Sequence, residues 1–82
     1  MTTNTEATDL SGRVAVVTGG GDGIGGAISR LFAQHGAIVE VAEVDPDRAA
    51  AIEGDGIRAS VVDVRDVDAV EAFAADVLAR HG

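Results

Sequence analysis

Between Val17 and Gly26 the chain reads VTGGGDGIGG, with six glycines in its last eight positions. Glycines supply no nucleophile and no base. What they offer is bare backbone: N–H groups brought close to an anion, phosphate above all, through turns that side chains would block. Carboxylates flank this run, with Asp22 inside it and Glu43 and Asp63 at the ends of later apolar stretches. The reactive side chains of most enzymes are missing. There is no lysine, tyrosine or cysteine. Without lysine there is no G-K-[ST] phosphate loop. Without cysteine there is neither a disulfide nor a thiolate metal site. Ser11, Ser29 and Ser60 have no neighbouring base, and His35 and His81 fall near helix C-termini, where a cationic imidazole favours the dipole. No catalytic residue and no metal ligand is expected in these 82 residues.

The elements that must position this loop follow from periodicity. Residues 1–9 are polar and aperiodic and read as a loose arm. Residues 13–18 form a short β-branched run, read as a strand buried on both faces. Over 24–34, Ile24, Ala27, Ile28, Leu31 and Phe32 recur at helical spacing, and Gly36 sits where a left-handed stop belongs. A second strand covers 37–42. Asp45 and Pro46 suit the N-cap and first position of a second helix running to about residue 53. Gly54-Asp55-Gly56 breaks it. A third strand covers 57–62, and a last helix covers 66–80 with Val67, Val70, Phe73, Ala74, Val77 and Leu78 on one side.

Alternating strands and helices predict an α/β fold with right-handed crossovers. The order is that of a Rossmann-type doubly wound parallel sheet: its first βαβαβ half plus one following helix, over residues 10–82. In that architecture the first strand-to-helix turn holds a phosphate. Three glycine spacings compete for the role. Gly21, Gly23 and Gly26 fit G-x-G-x-x-G; Gly21, Gly23 and Gly25 fit the G-x-G-x-G of many methyl-donor enzymes; Thr18, Gly19, Gly23 and Gly25 fit T-G-x-x-x-G-x-G. The apolar strand ends at Val17 or Thr18, so only the last spacing leaves no gap between strand and turn.

With that register, L-S-G-R-V-A-V-V-T-G-G-G-D-G-I-G from Leu10, G-A-I-V-E-V-A-E-V-D at Gly36 to Asp45 and V-V-D-V-R-D at Val61 to Asp66 resemble the opening of the short-chain dehydrogenases/reductases. The resemblance runs from Leu10 to Gly82. It implies an NAD site in which Gly19, Gly21, Asp22, Gly23, Ile24 and Gly25 hold the pyrophosphate. Glu43, 20 residues after Gly23, would accept the hydroxyls of the adenosine ribose, with Asp45 as second choice. Asp63 would take the adenine amine, and the Val64 N–H would donate to a ring nitrogen. Glu43 would repel a 2′-phosphate, Asp22 stands where phosphate-preferring relatives carry a basic residue, and no lysine or arginine lies near the loop in sequence. NAD is therefore expected over NADP.

The same resemblance places the chemistry elsewhere. The family's serine, tyrosine and lysine, and the N-N-A-G segment after a fourth strand, are absent here. The chain is expected to be the cofactor-binding N-terminal part of a truncated alcohol or ketone oxidoreductase, inactive alone, its substrate bound only in a full-length form. A non-catalytic nucleotide-binding remnant or interaction module is the alternative, and a methyltransferase fragment the more distant one.

Composition bounds the partners. A formal net charge of −8, from 14 acidic residues against six arginines, repels nucleic acid and anionic lipid. No apolar run approaches the roughly 20 residues of a membrane span, and the N-terminus lacks the pattern of a secretory signal. Cytoplasmic residence is expected. A sheet order of 3-2-1 would leave the first strand as a bare edge, so self-association through that edge is expected as well.

Overall fold

The computed structural model describes residues 9–82, so the arm expected over residues 1–9 falls, except for Asp9, outside the described residues. Six elements follow in order: β1 (Val14–Thr18), α1 (Gly23–Gln34), β2 (Ile38–Glu43), α2 (Pro46–Ile52), β3 (Ile57–Val61) and α3 (Val67–His81). The strands make one parallel sheet in the order β1-β2-β3. Val14 stands beside Ile38 and Thr18 beside Ala42, while Val39 stands beside Ile57 and Glu43 beside Val61. This is the expected half of a doubly wound fold, with β2 central and β1 at an edge.

Local chemistry sets the helix ends. Beyond Gln34, Gly36 takes φ +97, its N–H donating to Ala33 O at 3.0 Å while the Ala37 N–H donates to Phe32 O at 3.0 Å. These paired bonds satisfy the last carbonyls of α1 in a Schellman arrangement. At α2, the Asp45 carboxylate accepts from the N–H groups of Asp47 (2.9 Å) and Arg48 (3.3 Å), with Pro46 at the first position. Asp66 caps α3 by accepting from Ala69 N–H at 3.2 Å.

The two faces of the sheet carry two small cores. Val39 and Val41 of β2 join Ala37 and Ile52 under α1 and α2, with Val17, Phe32 and Ile57 packed against them. Ala42 joins Val62, Phe73 and Val77 under α3. Successive strand residues point to opposite faces, so β2 alone feeds both cores.

Three expectations change. β1 is not buried on both faces: Val14 is 41% and Val16 52% exposed. α3 lies over β2 and β3 and leaves an open apolar groove of about 390 Å³ against Val16 and Thr18. Secondly, α1 does not bury the stripe from Ile24 to Leu31. Its buried residues are Gly26 and Ser29, while Ile24 is 81% and Leu31 50% exposed. The glycine loop brings the start of α1 against the sheet so closely that only small residues fit between them. Thirdly, α3 buries Phe73 and Val77 but leaves Val67 and Leu78 exposed.

The far end of α3 is held by charge. Glu40, fully buried in β2, accepts from Arg80 Nε at 3.0 Å and Nη2 at 2.9 Å, and His81 Nε2 lies 2.6 Å from its Oε2. Burial pushes the Glu40 carboxyl up, but the hydrogen bonds and charge of Arg80 and His81 outweigh it and leave its pKa below the ordinary value.

Candidate functional site

The carboxyl ends of the strands converge on a concavity of about 210 Å³ lined by Gly19, Glu43, Asp63, Val64 and Arg65 among others. Ligands in open α/β sheets occupy this end, outside the strands and at the first helix N-terminus.

The glycine loop forms its floor. The Gly19 N–H donates to Ala42 O at 2.8 Å, continuing the β1–β2 ladder, and the chain then turns through φ +64 at Gly19 and φ +56 at Gly23. Both values lie where side chains are rare. Gly25 has a different constraint: a Cβ there would run into the Gly19 carbonyl and lie 3.0 Å from Gly20 Cα. By contrast, the nearest atoms to a Cβ on Gly26 would be 3.5 Å away, an ordinary contact. Gly19, Gly23 and Gly25 are thus demanding positions, and so is Gly20, where a Cβ would lie 2.9 Å from Val41 Cγ1. Ser29, fully buried, fastens the loop from α1: its hydroxyl donates to Gly25 O at 2.8 Å and lies 3.4 Å from Gly20 O.

The α1 N-terminus is open to an anion. Its first backbone bond in the helix runs from Gly26 N–H to Asp22 O, at 3.0 Å, and the Asp22 side chain makes no capping bond. The N–H groups of Gly23, Ile24 and Gly25 therefore have no intrahelical acceptor.

Glu43 is 4% exposed. Its Oε1 accepts from Gly21 N–H at 3.1 Å and its Oε2 from Asp45 N–H at 3.0 Å. One carboxylate thus braces the glycine loop against the β2–α2 turn. A carboxylate has about four acceptor positions, so two remain. A side chain at Gly21 would lie 2.7 Å from Glu43 Oε1, which explains that glycine as well.

Asp63 meets Arg65 in a forked pair, accepting from Nε at 3.0 Å and Nη2 at 2.9 Å, while its Oδ1 also accepts the Arg65 N–H at 2.9 Å. These bonds from Arg65 hold the Asp63 carboxyl down at about 2. Val64, 56% exposed, stands between them.

Asp22 lies 3.4 Å from Arg48 Nε. Here the sequence reading needs correction: no basic residue is near the loop along the chain, but α2 carries Arg48 back to it. Arg48, Arg65 and Ser29 are the residues of this site that sequence reasoning missed. The Asp45-Pro46 cap was a signal for Arg48, because it places residue 48 in the first turn of α2, beside the capping carboxylate.

The profile of the short chain dehydrogenase family matches residues 13–82. The maize sex determination protein tasselseed-2 is 46% identical over 76 residues, covering 89% of this chain and 23% of that protein. A metagenomic short-chain oxidoreductase solved with NADP is 42% identical, with a TM-score of 0.83 over 89% of this chain and 36% of the other. The 3-ketoacyl-(acyl-carrier-protein) reductase of Brucella melitensis, solved with NADH, is 31% identical with a TM-score of 0.85, over 90% of this chain and 32% of that one. The chain spans about a third of the length of these solved relatives. Strand order and sequence likeness over nearly all the described residues agree: the chain belongs to the short-chain dehydrogenase family.

Proposed function

We propose that residues 10–82 are the partial dinucleotide-binding domain of an NAD-dependent short-chain oxidoreductase acting on an alcohol or ketone in the cytoplasm. The observation that carries this reading is the single concavity that gathers Gly19, Glu43, Asp63 and Val64 at the open N-terminus of α1. Gly19, Gly21, Asp22, Gly23, Ile24 and Gly25 hold the pyrophosphate, mainly through backbone N–H groups and the helix dipole. Glu43 accepts the ribose hydroxyls with its remaining lone pairs. Asp63 and the Val64 N–H take the adenine edge. When bound, NAD supplies the hydride acceptor. The chain itself contributes binding and orientation. With no tyrosine or lysine, the 82 residues alone do not turn over substrate.

NAD is favoured over NADP because Glu43, Asp22 and Asp45 gather three carboxylates around the ribose end. The test is calorimetric titration of the protein at its native length. Glu43→Ala weakens NAD binding about tenfold or more, the scale of a lost charge-assisted hydrogen bond, and Glu43→Arg moves preference towards NADP. Equal affinities before and after both changes remove Glu43 from the site. The intact mass from the native cell is the companion measurement. A mass several times 8.2 kDa supports the oxidoreductase, and one near it leaves a binding module without turnover.

A second reading is favoured by the exposed flank of β1. Val14, Val16 and the groove beneath α3 form an apolar edge suited to pairing with another copy of the chain. Self-association there is compatible with nucleotide binding, because the edge faces away from β2 and β3.

A further inference from the structure

The ribose end of the site contains a guanidinium that nothing in the nucleotide reading uses. Arg48 Nε lies 3.4 Å from Asp22 Oδ2 and 3.9 Å from Asp45 Oδ2. Its Cβ would lie 3.0 Å from a side chain on Gly21, so the residue stands directly over the loop that Glu43 braces. The pairing is loose. The Arg48 and Asp22 side chains are 55% and 66% exposed, and exposed pairs of this kind stabilise little and are readily exchanged. A phosphate offers a guanidinium more: a doubly charged partner with two oxygens placed to accept two parallel hydrogen bonds from its planar fork.

We propose that Arg48 is a masked phosphate receptor, and that Asp22 and Asp45 set cofactor choice by occupying and neutralising it. On this view Asp22 disfavours NADP through Arg48 as well as through its own charge. The guanidinium held beside the ribose end becomes available to a 2′-phosphate when its carboxylate partner is removed. The proposal rests on the reading that Glu43 faces the adenosine ribose.

The experiment measures NAD and NADP affinities by calorimetry on the protein at its native length, for the parent, Asp22→Asn, Arg48→Ala and the double variant. Asparagine keeps the N-cap preference at position 22, and both side chains are more than half exposed, so the fold is retained. In Asp22→Asn the ratio of NADP to NAD affinity rises about tenfold, the scale of one charge-assisted contact. In the double variant that rise disappears, giving a coupling between the two residues that neither single change contains. A rise that survives Arg48→Ala shows that Asp22 acts by its own field alone and overturns the proposal. So does the absence of any rise. If the parent binds neither nucleotide, or if Glu43→Ala leaves both affinities unchanged, the ribose reading fails and the proposal falls with it.

Discussion

At the scale of single residues, this site is organised by carboxylates that each engage more than one group. Glu43 ties Gly21 to Asp45, and Asp63 is forked onto Arg65. The Asp63 pair has a direct readout. Its folded pKa, about 2, lies below the ordinary range of an aspartate carboxyl. The pair therefore contributes fully above about pH 4, and its contribution is lost as pH falls from there through 2. In an NMR titration the Asp63 carboxyl carbon should move with a midpoint near 2. Arg65→Ala should return that midpoint towards the ordinary carboxylate range. A midpoint unaffected by the substitution would mean that the pair does not form in solution. Gly25 gives a second test at this scale. A methyl group there meets the Gly19 carbonyl, and overpacking of this kind costs about 1–3 kcal/mol. Gly25→Ala should lower the thermal midpoint and abolish nucleotide binding, whereas Gly26→Ala, with room for the methyl, should do neither.

At the scale of elements, the contrast is between α1 and α3. α1 is pressed onto the sheet by small residues and by the Ser29 hydroxyl. α3 rests on Phe73 and Val77 and is fastened at its far end by the Glu40–Arg80–His81 cluster. Removing Arg80 takes two hydrogen bonds from the buried Glu40 carboxylate and leaves His81 as its remaining partner, which weakens the clamp on the end of the helix. Arg80→Ala should therefore strip hydrogen-exchange protection from the C-terminal turns of α3 while leaving β2 amides protected. Because the Glu40 pKa is lowered in the fold, the contribution of the cluster is present above the carboxyl's ordinary range and fades as pH falls below it. Protection of α3 should fade in acid before that of α1 does. Uniform loss across both helices would contradict a local clamp. None of this was legible in the sequence. Glu40 reads as one polar residue in an apolar strand, and its partners stand 40 and 41 residues away.

At the scale of the molecule, the sheet ends in an exposed strand. The β1 edge and the groove under α3 leave Val14, Val16, Val70 and Leu78 open to water. Such an edge is a template for pairing. Sedimentation should show association that rises with concentration, and Val16→Lys should reduce it without changing helix content, since a charged side chain blunts an edge. A compact monomer at high concentration, with or without the substitution, would exclude pairing through β1. No helix among the described residues is long and apolar enough to cross a membrane.

The sequence by itself determined the order of elements and, to within a residue or so, their ends. Each of these depends on interactions within a few residues. Periodicity, the Asp45-Pro46 and Asp66 caps and the left-handed Gly36 act locally. Which face of α1 meets the sheet, what Glu43 braces, where Arg48 lies and what holds α3 were decided only in the tertiary structure. Those contacts join groups far apart along the chain. They exist because parallel strands in the order β1-β2-β3 carry the ends of separate elements to one edge. The helical stripe from Ile24 to Leu31 shows the limit most clearly. Its spacing predicts a buried face, but the close approach of the glycine loop turned the small residues inward instead.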